Sequence, residues 1–108
     1  MKTSAFVFMF YIYFLYSPSS DIYYTGYSND YNQRFIQHNT TDRDTFTSKH
    51  RPWLLAGVFE ASKSEAEAIR IERFIKKQKS RRLVEKILSG EPLVGILAKL
   101  VRVPHLRD

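Results

Sequence analysis

Two phenols, a guanidinium, an imidazole and a carboxylate sit at spacings that can gather them at one point. They are Tyr13 and Tyr24 in aromatic runs, Arg34 and His38 four residues apart, and Glu72 inside a basic stretch. In YIYFLYSPSSDIYYTGYS, residues 11 to 28, the two aromatic runs flank a polar Ser-Pro-Ser-Ser-Asp turn. Side chains alternate faces along a strand, so Tyr11, Tyr13 and Leu15 share one face. A hairpin closing near Ser19 sets Tyr24 opposite Tyr13 or Phe14, and two phenols then converge. Arg34 and His38 in QRFIQH project from one side of a helix. Glu72 lies among Arg70, Arg73, Lys76, Lys77 and Lys79, and one carboxylate ringed by cations suits single-point ligation of a divalent metal beside a phosphate.

Each residue also has an ordinary reading. A tyrosine in an apolar strand is commonly half-buried packing, Arg34 would be one more solvated helix cation, and Glu72 could pair with Lys76 four residues on for a few tenths of a kcal/mol. A charge run is usually a solvated face, so the basic stretch matters only if it adjoins a site.

The elements that must position these groups can be read from pattern and punctuation. Residues 6–16 and 22–26 form a β-hairpin, both runs being aromatic and β-branched. Asn29-Asp30 offers an N-cap for a helix over residues 30–38, with Phe35 and Ile36 as its buried anchors. Residues 39–50 are polar and form a loop carrying Lys49 and His50, two further candidates for substrate contact. PWLLAGVFE, residues 52–60, is a third strand with Pro52 at its start and Trp53 as a core anchor. Ser62 or Ser64 caps a long helix ending near residue 78 or 79, and Ser62 with Glu65 has the capping-box spacing. Residues 66, 68, 69, 71 and 75, with Phe74, provide its buried face. Ser80 caps another helix through Leu83, Val84, Ile87 and Leu88, which Gly90 ends, and Pro92 starts a last short helix through Leu100. The sum is an α+β fold: a three-stranded antiparallel sheet with helices packed against it, one domain over residues 6–90 and a short helical tail over 91–108.

With 44% hydrophobic and 15% aromatic against 26% charged residues, a chain of 108 has the apolar content for one core. No cysteine is present, which excludes disulfides and thiolate metal sites and suits a cytoplasmic setting. Seventeen Lys and Arg against eleven Asp and Glu give a net charge of +6, a balance that attracts polyanions. A secretory signal is disfavoured, since the run after Lys2 is built from Phe and Tyr and Ser17-Pro18-Ser19-Ser20 lacks a small-x-small cleavage site. The apolar run is also far shorter than the roughly 20 residues of a membrane-spanning helix.

Taken in order, Tyr11-Ile12-Tyr13, Tyr24-Thr25-Gly26, Arg34 and His38, Arg51-Pro52-Trp53, and Glu72 in IRIERFIKKQKS resemble the GIY-YIG nuclease superfamily. The likeness runs from about residue 10 to 88 and is nearest to small stand-alone members and to the nuclease domains of excinucleases and of structure-specific resolvases. The chain has Tyr11 where the first motif has Gly and Thr25 where the second has Ile, and it keeps both motif tyrosines. The resemblance implies metal-dependent hydrolysis of DNA phosphodiesters. One of Tyr13 and Tyr24 would be general base, Arg34 would clamp the non-bridging oxygens, and His38 would orient a tyrosine or assist proton transfer. Glu72 would hold a single Mg²⁺ or Mn²⁺ that stabilises the leaving oxygen. Lys49, His50, Arg70, Arg73, Lys76, Lys77 and Lys79 would contact the nucleic-acid backbone.

Two rivals compete with this reading: a nuclease-like module that binds nucleic acid without turnover, and an interaction protein using its aromatic N-terminal strand for pairing. The tail is too short for a recognition domain, so the target is set by DNA structure, by a protein partner, or is unselective.

Overall fold

A computed structural model describes residues 8–104. Residues 6 and 7 of the expected first strand, Lys2, and residues 105–108 at the end of the tail lie outside the described residues.

The hairpin forms from β1, Phe10–Ser17, and β2, Ile22–Ser28. Its loop is four residues long and closes with Ser17 opposite Ile22. Asp21 adopts a left-handed φ of 54°, which Asp tolerates better than most residues, and its backbone N–H donates to the Ser17 carbonyl at 2.7 Å. This closure corrects the expected register: Tyr13 faces Gly26, and Tyr24 faces Leu15. The loop over residues 18–21 shifts the pairing by one residue from the Phe14 alternative and by two from the Tyr13 alternative. That parity matters, because opposite Phe14 the Tyr24 ring would point to the wrong side of the sheet.

Asp30 accepts from the Gln33 N–H and starts helix α1, Tyr31–Thr40. Strand β3, Leu54–Ser62, then pairs antiparallel with the other side of β1, with irregularities beside Tyr11 and Leu15. Helix α2 spans Glu65–Gln78 and α3 spans Arg81–Ser89. A fourth strand, β4, Val101–Arg102, pairs with Phe59 and Glu60, so the sheet has four strands in the order β2-β1-β3-β4 rather than three. Two residues are too few to show a period, and this strand exists only through pairing with a distant partner. The last helix is a short 3₁₀ turn at Gly95–Lys99, beginning beyond Pro92 and not at it.

Two side-chain layers flank the sheet. Ile12, Phe14, Phe59 and Ala61 meet Ala68, Ile71 and Ile75 of α2, Val84 and Ile87 of α3, and Leu97. On the other face Tyr13, Leu15, Trp53, Leu55 and Val58 form a second cluster, onto which Tyr31 and Phe35 of α1 pack. Ala66 and Phe74 of α2 are exposed, so its buried stripe is narrower than expected. Ile36 is 52% exposed, and His38 is instead the buried residue of α1. Positions 31, 35 and 38 form the stripe that meets the sheet at i, i+4 and i+7.

Ser64, not Ser62, caps α2 by accepting from the Glu67 N–H, because β3 still runs extended through Ser62. Ser80 caps α3 as expected, and Gly90 ends it at φ 84°, a conformation that favours glycine.

Candidate active site

Tyr13 is 1% exposed and projects from β1 across its partner strand, where Gly26 leaves the space for it. A Cβ on Gly26 would lie 2.4 Å from both Cζ and Oη of Tyr13, so no larger residue fits beneath this phenol. The Tyr13 hydroxyl lies 3.0 Å from Nε2 of His38. The other ring nitrogen, Nδ1, lies 3.0 Å from Oγ1 of Thr47. His38 is 7% exposed, and these two bonds satisfy both nitrogens of a buried imidazole.

Thr47 reaches His38 because the segment after α1 is pinned. The side-chain amide of Asn39 donates to the Trp53 carbonyl at 3.0 Å while its oxygen accepts from the Trp53 backbone N–H at 2.7 Å. The Trp53 indole N–H donates to the Thr47 carbonyl at 2.8 Å. Arg51 donates to the carbonyls of His38 and Thr41, both at 2.7 Å, tying the end of α1 to β3. The Arg-Pro-Trp run thus anchors the loop that orients the imidazole.

Tyr24 completes the cluster, its ring centroid 4.9 Å from that of His38 and 6.5 Å from that of Tyr13. Lys76 of α2 stands 5.1 Å over the Tyr24 ring, and at this range a cation is drawn to an aromatic face. Lys76 also pairs with Glu72 at 3.3 Å, and the Glu72 side chain is only 14% exposed. Arg34 is exposed at the rim and shares an open cleft of about 510 Å³ with Tyr24, Gln37, His38, Thr41, Arg43, Thr45, Phe46 and Thr47.

Electrostatics fix the resting protonation. Burial pushes the Tyr13 phenol up to about 12, against the pull of the Arg34 guanidinium beside it, while Tyr24 and Glu72 push the same way as burial. Burial also drives His38 down to about 4, helped by the charges of Arg34, Arg51 and Lys76. At neutral pH the pair is therefore a neutral phenol beside a neutral imidazole.

Of the residues singled out in the sequence, Tyr24, Arg34 and His38 line this cleft, and Tyr13 lies behind it, bonded to His38 and within electrostatic range of Arg34, Tyr24 and Glu72, while Glu72 itself is not part of the cleft lining. Lys76 joins them through Glu72 and Tyr24, and Lys79, the left-handed cap that ends α2, lines a neighbouring pocket with Lys76 and Tyr24. Arg70, Arg73 and Lys77 are exposed on a different stripe of α2, and Arg70 is engaged with Glu67 at 3.7 Å. Lys49 is exposed on the 3₁₀ turn Thr47–His50. His50 bonds Ser20 of the hairpin loop at 2.8 Å and touches the cleft only through its ring, 4.7 Å from Phe46. Sequence reasoning missed Thr47, Phe46 and the seating role of Gly26. Only Gly26 had a signal, since a hairpin loop over residues 18–21 places it opposite Tyr13.

Among the described residues, no three or more His, Asp or Glu side chains gather to hold a metal ion. A lone glutamate still fits a hard cation that keeps most of its waters and takes its other oxygens from substrate phosphate. No helix among the described residues is long and apolar enough to cross a membrane.

A family model described as the GIY-YIG catalytic domain matches residues 9–86, most of the chain and every element around the cleft. No curated protein matches the chain.

Proposed function

This chain belongs to the GIY-YIG catalytic-domain family, and from that premise we propose that it is an endonuclease hydrolysing DNA phosphodiester bonds with one divalent cation. The observation that carries the proposal is a buried phenol bonded to an imidazole that lines one open cleft together with a guanidinium.

Arg34 is the phosphate clamp. Its planar, permanently charged fork meets two non-bridging oxygens at once, and it stands exposed at the cleft rim where a backbone phosphate arrives. Tyr13 is the general base, acting through its neighbour. A phenol held near 12 is not a phenolate at rest, so the proton must move in concert. The tautomer in which Nδ1–H donates to Thr47 leaves Nε2 of His38 to accept from the Tyr13 hydroxyl. As the phenol oxygen takes a proton from the attacking water, its own proton passes to Nε2. His38 is a weak acceptor at rest because of its burial first and the surrounding cations second, and an incoming phosphate offsets the part that the cations contribute. Tyr24 walls the cleft and holds Lys76 against it. Glu72 is the oxygen donor for Mg²⁺ or Mn²⁺, which when bound supplies charge to stabilise the departing 3′ oxygen.

The test is a panel of linear, nicked, flapped and branched DNA incubated with and without Mg²⁺ or Mn²⁺. Metal-dependent cleavage that Arg34→Ala lowers by about 10²-fold or more is the expected result. Salt-sensitive binding to every substrate with no cutting under any metal condition would leave a binding module on a nuclease-like fold.

A further inference from the structure

Phe46 lines the cleft and is 55% exposed, beside two aromatic neighbours, Tyr24 and His50. Its ring lies 28° from parallel with Tyr24 at a centroid distance of 6.5 Å, and 4.7 Å from the His50 ring. The loop beneath it is firmly tied. Thr45 and Ser48 exchange hydrogen bonds in both directions around Phe46, with the Thr45 N–H donating to Ser48 Oγ at 3.0 Å and Ser48 Oγ donating to the Thr45 carbonyl at 2.8 Å. Thr45 Oγ1 also lies 3.2 Å from Oγ1 of Thr47, the residue that holds His38. A ring more than half exposed, on the same loop that orients the imidazole and lining the cleft that holds Arg34, offers an aromatic surface to a ligand.

The rest of the cleft says what that ligand is. Gln37, Arg43 and Thr45 supply donors and acceptors around the aromatic face, and Arg34 supplies the phosphate contact. The volume of about 510 Å³ lies within the roughly 300–1,000 Å³ of small-molecule sites. A flat heteroaromatic with a polar edge, joined to a phosphate, matches all three features. Resting on the nuclease reading of this site, we propose that Phe46 is the stacking platform for the nucleobase adjoining the scissile phosphate, and that this base is bound unpaired. Inside a duplex both faces of a base are covered by its neighbours, so only a base out of the stack can lie on Phe46. Substrates with an unpaired nucleotide beside the cleaved bond are therefore favoured over continuous duplex, and the platform tolerates any base because every base has a π-face.

The test uses the full chain in chelator, so that binding is read without cutting. One oligonucleotide carries 2-aminopurine at a single unpaired position within duplex, and its control carries the same base paired. Stacking on Phe46 quenches the unpaired probe, and affinity for it exceeds that for the control by about 10- to 100-fold. Phe46→Tyr keeps both effects, whereas Phe46→Ala loses the quench and brings the two affinities together. The ring is more than half exposed, so circular dichroism should show the alanine variant folded. An unchanged quench and preference in Phe46→Ala would overturn the proposal, as would binding to neither DNA. Phe46-dependent quenching from a protein that cuts nothing in Mg²⁺ or Mn²⁺ would support the base site and contradict the hydrolysis. Cutting without quenching would do the reverse.

Discussion

The Tyr13–His38 pair is kept uncharged by one cause acting on two residues of opposite sign. Burial disfavours the phenolate and the imidazolium alike, raising Tyr13 to about 12 and lowering His38 to about 4. The second shift has a consequence for stability. The folded value lies below the ordinary 6.5, so the unfolded chain takes up the proton first as pH falls. The contribution is present in full above about 6.5 and is lost on acidification toward about 4. At pH 5 it amounts to about 2 kcal/mol relative to neutral pH. Denaturation of the unchanged protein and of His38→Asn at pH 7.5 and pH 5 should show that loss only in the unchanged protein. Equal pH dependence in both would mean that the imidazole is not buried neutral. Tyr13, Tyr24, Arg34 and Glu72 were legible in the sequence because motif order names them. The burial of His38 was not, since hydrophobicity favours Ile36 beside it, and only the docking of α1 on the sheet decides between them.

Among the elements, the hairpin does most to position the site, and its register is set by the loop rather than by the strands. A four-residue turn puts Gly26 against Tyr13, and the missing Cβ lets the phenol cross β2 toward His38. Gly26→Ala should force the ring aside, since the added atom would lie 2.4 Å from Cζ and Oη within a pair of paired strands. We expect a stability loss of about 1–3 kcal/mol and a fall in cleavage rate larger than that loss explains. An alanine variant with unchanged stability and activity would show that the phenol does not need this passage. The strands of the hairpin, β3, α2 and α3 were legible because each carries its own periodicity and caps, Ser80 and Gly90 among them. Strand β4 and the Thr47 contact were not, because both are created by tertiary pairing that no local periodicity marks: the distant Phe59 and Glu60 for the strand, and the nearby Trp53 and His38 for the threonine.

At the scale of the whole molecule, the net charge of +6 would attract DNA, and on the proposed function the cations nearest Tyr24 would meet it. Lys76 and the helix-ending Lys79 line one pocket beside Tyr24, whereas Arg70, Arg73 and Lys77 occupy another stripe of α2, with Arg70 tied to Glu67. Lys79→Ala should therefore lower the slope of log affinity against log salt by about 0.9, and Arg70→Ala should leave it unchanged. Equal effects would mean that the basic stretch acts as a diffuse field. The claim on which all of this turns is that Tyr13 and Glu72 serve one phosphate. Its most direct test is single-turnover cleavage by Tyr13→Phe, Glu72→Gln and the double variant, each shown folded. The account predicts that each single change costs about 10²-fold or more, and that the double variant is little worse than the poorer single, as for groups acting as a unit. A single variant cutting at the unchanged rate, or losses that simply multiply in the double variant, would contradict it.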